Sequence, residues 1–195
     1  MKYSSQTHSE VVAACVEALK RPGAVVLLPT ETVYGLVCRW SDAAARERIY
    51  ALKHRCKNKL LAMFAPDMSA AERYGAVIND LGRRLFERFT PGGITIICAD
   101  RTGGTVGVRV PDHPLVLAVL RSLGEPLAST SANLSGTPAA LDCAGGLAGL
   151  DGAVELAVDG GALPVDSLAS TVVDATGSTP KILRAGAIPP AVILA

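Results

Sequence analysis

The chain has 195 residues, of which 49% are hydrophobic, and a formal net charge of +1 at pH 7. This length and hydrophobic content predict one folded domain and exclude a disordered chain, while the near-neutral charge excludes a global basic field for nucleic-acid binding. Only 4% of the residues are aromatic, which leaves little material for stacking bases.

Cysteine and histidine positions show no metal-ligand spacing. The five cysteines are odd in number, scattered and never spaced Cys-x-x-Cys, as expected for free thiols in a reducing compartment. The first ten residues lack the apolar core of a signal peptide, and no apolar run reaches the roughly 18 residues needed to span a membrane. We therefore expect a soluble, cytoplasmic protein with no structural metal site and no membrane partner.

Hydrophobic residues occur at helical spacing in several segments of the chain. In the first predicted helix, Val11, Cys15 and Leu19 fall on one face, and Ser9 is a candidate N-cap. Ser41 is the candidate N-cap of the next helix, which leads into a cationic segment. The predicted helices are, in chain order, 9–21, 41–52, 69–74, 79–89, 113–123 and part of 139–153.

Short apolar runs bounded by Gly, Pro and Asp are typical of buried strands. Such runs lie at 24–28, 33–38, 60–65, 94–98, 105–110, 126–128, 154–158, 170–174 and 181–184. Because helices and strands mix without strict alternation, the sequence predicts an α/β or α+β domain whose sheet includes antiparallel pairs.

The stretch from Ser129 to Pro138 places several hydroxyl side chains and one amide directly after the apolar run 126–128. A buried strand that runs into small polar residues exposes backbone N–H groups, and concavities of this kind bind anions. The same residue types are also ordinary turn formers, so a hydrophilic hairpin is equally consistent with this stretch.

Cationic side chains next to apolar segments are further candidate binding groups. Arg109 alternates with Val108 and Val110 along a predicted strand, so it faces away from the core and either contacts an anion or lies on a solvated face. The segment from Lys53 to Lys59 is rich in cations, which bind phosphates or simply stabilise the end of a helix.

Acidic and imidazole groups close to these segments are few. Glu31 lies in a polar Thr-Glu-Thr between two buried runs, where we expect it to cap backbone groups rather than abstract protons. His54 and His113 are expected at helix edges without a catalytic role. Since no triad, metal set or Gly-rich phosphate loop of the usual spacing is visible, an enzyme on this chain would work by holding anions and aligning reactants.

Seven segments of the chain follow one another in the same order as the motifs of one protein family. They are Pro29-Thr-Glu-Thr-Val-Tyr-Gly-Leu, Lys53-x-Arg55…Lys59, Pro91-Gly-Gly-Ile-Thr, Val108-Arg-Val-Pro-Asp-His-Pro, Ser129-Thr-Ser-Ala-Asn-Leu-Ser-Gly-Thr-Pro, Ser170-Thr-Val-Val-Asp and Ile182-Leu-Arg-Ala-Gly-Ala-Ile. Together they resemble the YrdC-like threonylcarbamoyl-AMP synthases, in the short bacterial form without the extra C-terminal domain. The resemblance implies a single YrdC-like domain over 1–195, built as a twisted mixed parallel and antiparallel sheet with flanking helices and a deep basic cavity.

The resemblance also implies an activity. Members of the family make L-threonylcarbamoyladenylate and pyrophosphate from L-threonine, bicarbonate or CO2, and ATP, with Mg2+ expected through the ATP phosphates. The product would pass to a tRNA threonylcarbamoyl-transfer complex for N6-threonylcarbamoyladenosine (t6A37) modification, and weak RNA binding is compatible with that role.

Site residues follow from the resemblance motif by motif. The threonine-binding residues it implies are Thr32, Arg109, Ser129 and Ser170. The ATP-binding residues it implies are Lys53, Arg55, Lys59, Thr105, Ser131, Asn133 and Arg184. Lys53 and Arg55 are in addition the implied catalytic pair, which clamps the ATP phosphates.

Two alternatives stay open at this point. The chain has Phe64 where many longer members place a threonine-contacting His, and Leu60 where many members have Pro, which leaves room for a paralogue acting on another carbamoylated or amino-acid substrate. A non-catalytic RNA-binding module that uses the cationic cavity is the second alternative.

Overall fold

The computed structural model describes Met1 and residues 6–195, and one sheet of ten strands runs through them. The strands are β1 (Val26–Leu28), β2 (Gly35–Arg39), β3 (Ala62–Phe64), β4 (Ala76–Val77), β5 (Ile94–Asp100), β6 (Thr105–Arg109), β7 (Leu127–Ser131), β8 (Leu156–Ala157), β9 (Thr171–Asp174) and β10 (Lys181–Arg184). The helices are α1 (His8–Lys20), α2 (Ala43–Leu52), α3 (Met68–Arg73), α4 (Asp80–Phe89), α5 (Pro114–Leu123), α6 (Cys143–Ala148) and α7 (Pro190–Leu194).

The sheet is mixed, with the strand order β10-β9-β5-β6-β3-β7-β2-β1-β8 and β4 paired to β5 alone. The pairs β5·β9, β3·β6 and β1·β8 are parallel, and the other pairs are antiparallel. The predicted fold class, a mixed parallel and antiparallel sheet with flanking helices, is therefore confirmed.

Alternation along β6 divides its side chains between two faces of the sheet. Val106 and Val108 are buried in the hydrophobic core, whereas Arg109 lies on the opposite face and lines a cavity. The pairing register extends this division to β3, because Arg109 is level with Phe64, which lines the same cavity. At β3 and β6, one face of the sheet thus packs into the core, and the other face lines the cavity.

Helices cover the rest of both faces. On the cavity side, α1 and α5 pack together, and Val11 and Val119 join Val37 of β2 in one buried cluster. On the opposite side, Ile49 of α2 and Phe86 of α4 are buried in two further clusters. The cavity therefore lies beside α1 and α5, on the stretch of sheet that these two helices leave uncovered.

Helix starts differ from the predicted caps. The N-cap of α1 is Thr7, which forms a capping box with Glu10, rather than Ser9. The N-cap of α2 is Asp42 rather than Ser41, because the Asp42 carboxylate accepts a hydrogen bond of 2.9 Å from the amide of Ala45. In both cases the residue that caps is the one whose side chain reaches the exposed amides of the first turn.

Two strands differ from the sequence-based expectation. β7 extends from Leu127 to Ser131, so the first three hydroxyl residues after 126–128 belong to the strand and not to a loop. This extension arises because β2 pairs with β7 along its whole length and supplies hydrogen-bond partners that the polar sequence does not announce. β4 has only two residues, too few to show any periodicity.

Within Met1 and residues 6–195, no helix combines the length and the hydrophobicity needed to cross a bilayer.

The hydroxyl of Tyr34 binds the backbone of the segment that follows β8, so removing this hydroxyl should lower the stability of the fold. The side chain is 0% exposed, and its hydroxyl donates to the carbonyl of Gly161 (2.7 Å) and accepts from the amide of Gly160 (2.9 Å). We expect Tyr34→Phe to lower the free energy of unfolding in urea by about 1–3 kcal/mol, because both backbone groups lose their partner.

Tyr74→Phe is the matched control, since Tyr74 is 38% exposed and its hydroxyl donates over a longer 3.4 Å to the carbonyl of Gly124. We expect that control to change the unfolding free energy by less than about 0.5 kcal/mol. Equal losses in the two variants would contradict this assignment.

Candidate active site

A cavity of about 480 Å³ opens on the uncovered part of the sheet. Strands β2, β3, β5, β6, β7, β9 and β10 contribute to its walls, together with the loops before β3 and before β9. The sequence-predicted residues that line it are Arg55, Lys59, Thr105, Arg109, Ser129, Ser131, Ser170 and Arg184. The tertiary structure thus brings together residues from five of the seven segments, together with Thr105, which lies outside them.

Glycine at position 107 keeps the floor of the cavity open. A Cβ atom there would lie 3.0 Å from Cδ1 of Ile97 and 3.1 Å from Cγ2 of Thr95, so any larger residue would press on both neighbours. Because Gly107 alternates with valines that face the core, its missing side chain is on the cavity side.

Arg109 is held from three directions. Its Nη2 donates to Oε1 of Glu31 (2.7 Å) and to Oγ1 of Thr32 (2.8 Å), and its guanidinium carbon lies 5.2 Å from the centroid of the Phe64 ring. The residue is only 5% exposed. A buried cation on a sheet face needs such partners, and they fix the direction in which the guanidinium faces the cavity.

Glu31 therefore has a different role from the one expected. It was predicted to cap backbone groups, but its carboxylate forms an ion pair with Arg109, because a buried guanidinium requires a counter-charge close by. Thr32 does not line the cavity itself and contacts it through Arg109.

The two histidines lie at helix ends, as expected. His113 is the N-cap residue of α5, and burial lowers the pKa of its imidazole. His54 follows α2, where its Nε2 lies 2.7 Å from Oδ2 of Asp151.

Arg184 of β10 closes the opposite side of the cavity. Its Nη2 donates to the carbonyl of Ser170 (2.7 Å), and the Ser170 hydroxyl lies 2.8 Å from that of Thr95. Burial lowers the pKa of Arg184, and the nearby guanidinium groups of Arg109 and Arg55 lower it further. Arg184 therefore lies close enough to the other two guanidinium groups to be repelled by both.

Arg55 shapes the loop that forms a third wall. Its Nε donates to the carbonyl of Lys59 (2.9 Å) and its Nη2 to the carbonyl of Leu60 (3.0 Å), while burial lowers the pKa of the guanidinium. Lys59 and Leu60 line the cavity beside it.

Lys53 lies outside the cavity wall, in contrast to its predicted contact with phosphates. Its ammonium group donates to the carbonyls of Ser131 and Asn133 and, over 3.3 Å, to Oδ1 of Asn133. The residue is only 1% exposed, and burial together with the charge of Arg55 lowers its pKa to about 8. Since Lys53 directly follows α2, which packs beneath the sheet, its side chain reaches the loop after β7 from below.

Asn133 likewise points into its own loop instead of the cavity. Its Oδ1 accepts from the hydroxyl of Ser131 (2.6 Å), and its Nδ2 donates to the carbonyls of Leu134 and Thr137 (2.8 Å each). All of these bonds are local, so the amide stabilises the turn that presents Ser131 to the cavity.

The site residues predicted from the sequence omit three hydroxyl residues of the cavity wall: Thr30, Thr95, and Thr130 from the hydroxyl-rich stretch after 126–128. Thr95 sits between Ile94 and Ile96 in β5, and both isoleucines are fully buried in the core. The alternation that placed Arg109 on the open face would have placed Thr95 there as well. Thr30 carries no comparable signal because it precedes an irregular turn.

The charge of the cavity wall has one sign. Four cationic side chains line the cavity, and none of its lining residues among those described is acidic. No group of three or more His, Cys, Asp or Glu able to hold a metal occurs in the described part of the chain. A cationic pocket with short hydroxyl donors is suited to a polyanion next to a small polar molecule.

Comparison with known proteins points to one family. The family model described as "Sua5_yciO_yrdC: Telomere recombination" matches residues 18–186. The threonylcarbamoyl-AMP synthase of Bacillus subtilis is 37% identical over 181 residues, which cover 88% of this chain and 52% of that protein. A putative threonylcarbamoyl-AMP synthase of Mycobacterium leprae is 34% identical over 186 residues, which cover 91% of this chain and 83% of that protein.

The solved structure of Pyrococcus abyssi Sua5 complexed with L-threonine superposes with a TM-score of 0.86 at 29% identity, over 96% of this chain and 57% of that one. The chain thus spans about half the length of the B. subtilis and P. abyssi proteins and most of the M. leprae protein. Because the family model covers all ten strands of the sheet, including those of the cavity wall, the chain belongs to the Sua5/YciO/YrdC family, as its seven motifs predicted.

Proposed function

We propose that this chain makes L-threonylcarbamoyladenylate and pyrophosphate from L-threonine, bicarbonate or CO2, and ATP. The observation that carries the proposal is the convergence of Arg55, Arg109 and Arg184 on one cavity lined with hydroxyl groups. The names of the curated relatives and the threonine bound to P. abyssi Sua5 support this choice of substrates.

In the proposed site, threonine binds where Arg109 meets the hydroxyls of Ser129 and Ser170. The free edge of the Arg109 guanidinium receives the threonine carboxylate, since Glu31 and Thr32 already occupy Nη2. The ATP phosphates bind nearer to Arg55 and Arg184, whose mutual repulsion an anion relieves. The remaining ATP contacts in the proposal come from Lys59, Thr105 and Ser131.

The reaction then proceeds in two steps. The ammonium group of threonine loses a proton, and the resulting amine attacks the carbon of bicarbonate, whose hydroxyl leaves as water to give the carbamate. A carbamate oxygen attacks the α-phosphorus of ATP, forming the carbamoyl–phosphate anhydride while the bond to the β-phosphate oxygen breaks and pyrophosphate leaves. The cationic wall stabilises the charge that develops on the phosphates and holds the two reactants in line.

Lys53 and Asn133 act indirectly in this proposal. Both residues fix the loop from Ser131 to Thr137, so they position the Ser131 hydroxyl and its neighbouring amides. Both side chains support the loop from below. The proposal therefore gives them this supporting role and not the direct phosphate contacts predicted from the sequence.

Mg2+ belongs to this proposal as part of the substrate MgATP. The described residues that line the cavity offer hydroxyls and cations but no carboxylate, and carboxylates are the ligands that Mg2+ prefers from proteins. The phosphate oxygens of ATP would therefore supply its ligands.

The product is a reactive mixed anhydride, and we propose that it passes to a tRNA threonylcarbamoyl-transfer complex for t6A37 modification. This step lies outside the cavity and depends on partners that the relatives' names do not specify.

The first test is turnover. We expect pyrophosphate release that requires ATP, L-threonine and bicarbonate together. A coupled assay for pyrophosphate, with each component omitted in turn, measures this requirement. Turnover with a different amino acid in a panel would favour the paralogue reading. RNA binding that weakens steeply with salt, without any turnover, would favour a non-catalytic RNA-binding module and contradict the proposal.

Arg109→Lys tests the threonine subsite. The substitution retains the charge but removes the planar fork, so we expect the KM for threonine to rise about 10- to 100-fold while the KM for ATP changes less than about threefold. Steady-state kinetics with each substrate varied in turn measures both constants. Arg121→Lys, at an exposed position of α5, is the matched control and should leave both unchanged. An equal rise in both KM values for Arg109→Lys would contradict a threonine-specific role.

The buried ammonium group of Lys53 gives a pH dependence. Its pKa is about 8 in the folded chain against a reference value of 10.5, so between these values the unfolded chain binds more protons than the folded one. The contribution of Lys53 to the free energy of unfolding must therefore rise as the pH increases from 8 to 10.5. Urea unfolding of the wild type and of Lys53→Met, at pH 7 and at pH 9.5, measures the difference in their free energies of unfolding at each pH. We expect the wild type to gain stability relative to the variant at the higher pH, and a constant or falling difference would contradict the assignment.

A further inference from the structure

Three buried polar atoms without a hydrogen-bond partner lie in the Glu31–Arg109 pair and in His113. Among the described residues, the buried side-chain nitrogen and oxygen atoms that lack a partner are Oε2 of Glu31, Nε of Arg109 and Nδ1 of His113. Glu31 and Arg109 are in direct contact, and His113 is close enough for the Glu31 charge to raise its pKa against the effect of burial. Buried polar groups are normally paired, so an unpaired cluster beside a cavity points to a functional constraint.

The Glu31–Arg109 pair is half of a bidentate ion pair. A carboxylate and a guanidinium can form two parallel hydrogen bonds, but here only Nη2 to Oε1 is formed, at 2.7 Å. The atoms that would form the second bond, Nε and Oε2, are the two that remain unpaired. The charge of the Glu31 carboxylate is therefore held by a single hydrogen bond from Arg109, and its Oε2 has no hydrogen-bond partner.

The nearby groups leave this charge in place. Burial lowers the pKa of His113, so its imidazole is neutral near pH 7 and adds no positive charge next to Glu31. Asp112 is exposed to solvent, where its charge is screened. Glu31 is thus the carboxylate that acts on the cavity from directly behind Arg109.

An α-amino acid creates an electrostatic problem in this cavity. Its carboxylate is attracted to Arg109, but its ammonium group is only one carbon away and enters a wall that carries four cations, Arg55, Lys59, Arg109 and Arg184. The described residues of that wall include no acidic side chain to offset this repulsion. A simple carboxylate without an ammonium group would meet no such obstacle.

We propose that Glu31 is a specificity-determining residue, whose buried charge behind Arg109 selects α-amino acids over carboxylates that lack the amino group. This inference rests on the function proposed above and names the residue that lets the threonine subsite accept a zwitterion. Glu31 acts through the electrostatic field and through Arg109, since it does not line the cavity.

The test compares two ligands that differ only in the ammonium group. L-Threonine and 3-hydroxybutyrate share the carboxylate and the hydroxyl. The dissociation constant of 3-hydroxybutyrate divided by that of L-threonine therefore measures the preference for the amino group. We expect Glu31→Gln, which keeps an oxygen acceptor for Nη2 of Arg109 but removes the charge, to lower this ratio about tenfold by weakening threonine alone. Glu31→Asp keeps the charge and should retain most of the preference.

Asp112→Asn is the matched control, because it removes one carboxylate charge at an exposed position three residues after the end of β6. We expect it to leave the ratio unchanged. Thermal unfolding and the KM for ATP show whether each variant is folded with its nucleotide subsite intact.

The outcomes separate this inference from the function on which it rests. If Glu31→Gln weakens both ligands equally, Glu31 only orients Arg109, and the proposal is overturned, as it is by an unchanged ratio. If the wild type uses another amino acid, the same comparison is made with that amino acid and its deaminated analogue. Absence of turnover with every amino acid would instead overturn the proposed function itself.

Discussion

Burial of the Arg109 guanidinium on an open sheet face is the constraint on which the site depends. A buried cation requires a counter-charge and hydrogen-bond acceptors, and Arg109 finds them in Glu31 and Thr32, from the turn before β2. The Phe64 ring on the adjacent strand supports the flat side of the group. Three segments that are distant in the sequence are thereby locked into one wall.

The rest of the cavity is organised around the repulsion between cations. Arg55 and Arg184 are partly satisfied by backbone carbonyls, of Lys59 and Leu60 in one case and of Ser170 in the other. These neutral acceptors hold each guanidinium in place without cancelling its charge. The cavity is therefore preorganised for an anion, which gains favourable interactions at several groups at once while relieving their repulsion.

Lys53 and Asn133 show why a motif does not by itself reveal the role of each residue in it. Both belong to cation- and hydroxyl-rich segments that indicate an anion site, and both lie next to residues that line the cavity. Yet the ammonium group of Lys53 and the amide of Asn133 stabilise the end of β7 at Ser131 and the loop that follows it. A cation close to an anion site is often needed to hold backbone carbonyls together, and nothing in a one-dimensional pattern separates this use from a contact with the ligand.

The sequence by itself determined the family, the mixed sheet and the open face of β6, because motif order and the alternation of Val106, Val108 and Val110 with Thr105, Gly107 and Arg109 are local properties of the chain. Only the tertiary structure decided that Glu31 pairs with Arg109, that β2 extends β7 through Ser131, and that Lys53 lies beneath the cavity. Each of these depends on contacts between residues separated by many positions in the chain. Local propensity carries no information about such partners, since a carboxylate, a hydroxyl or an ammonium group adopts the role that its neighbours in space require.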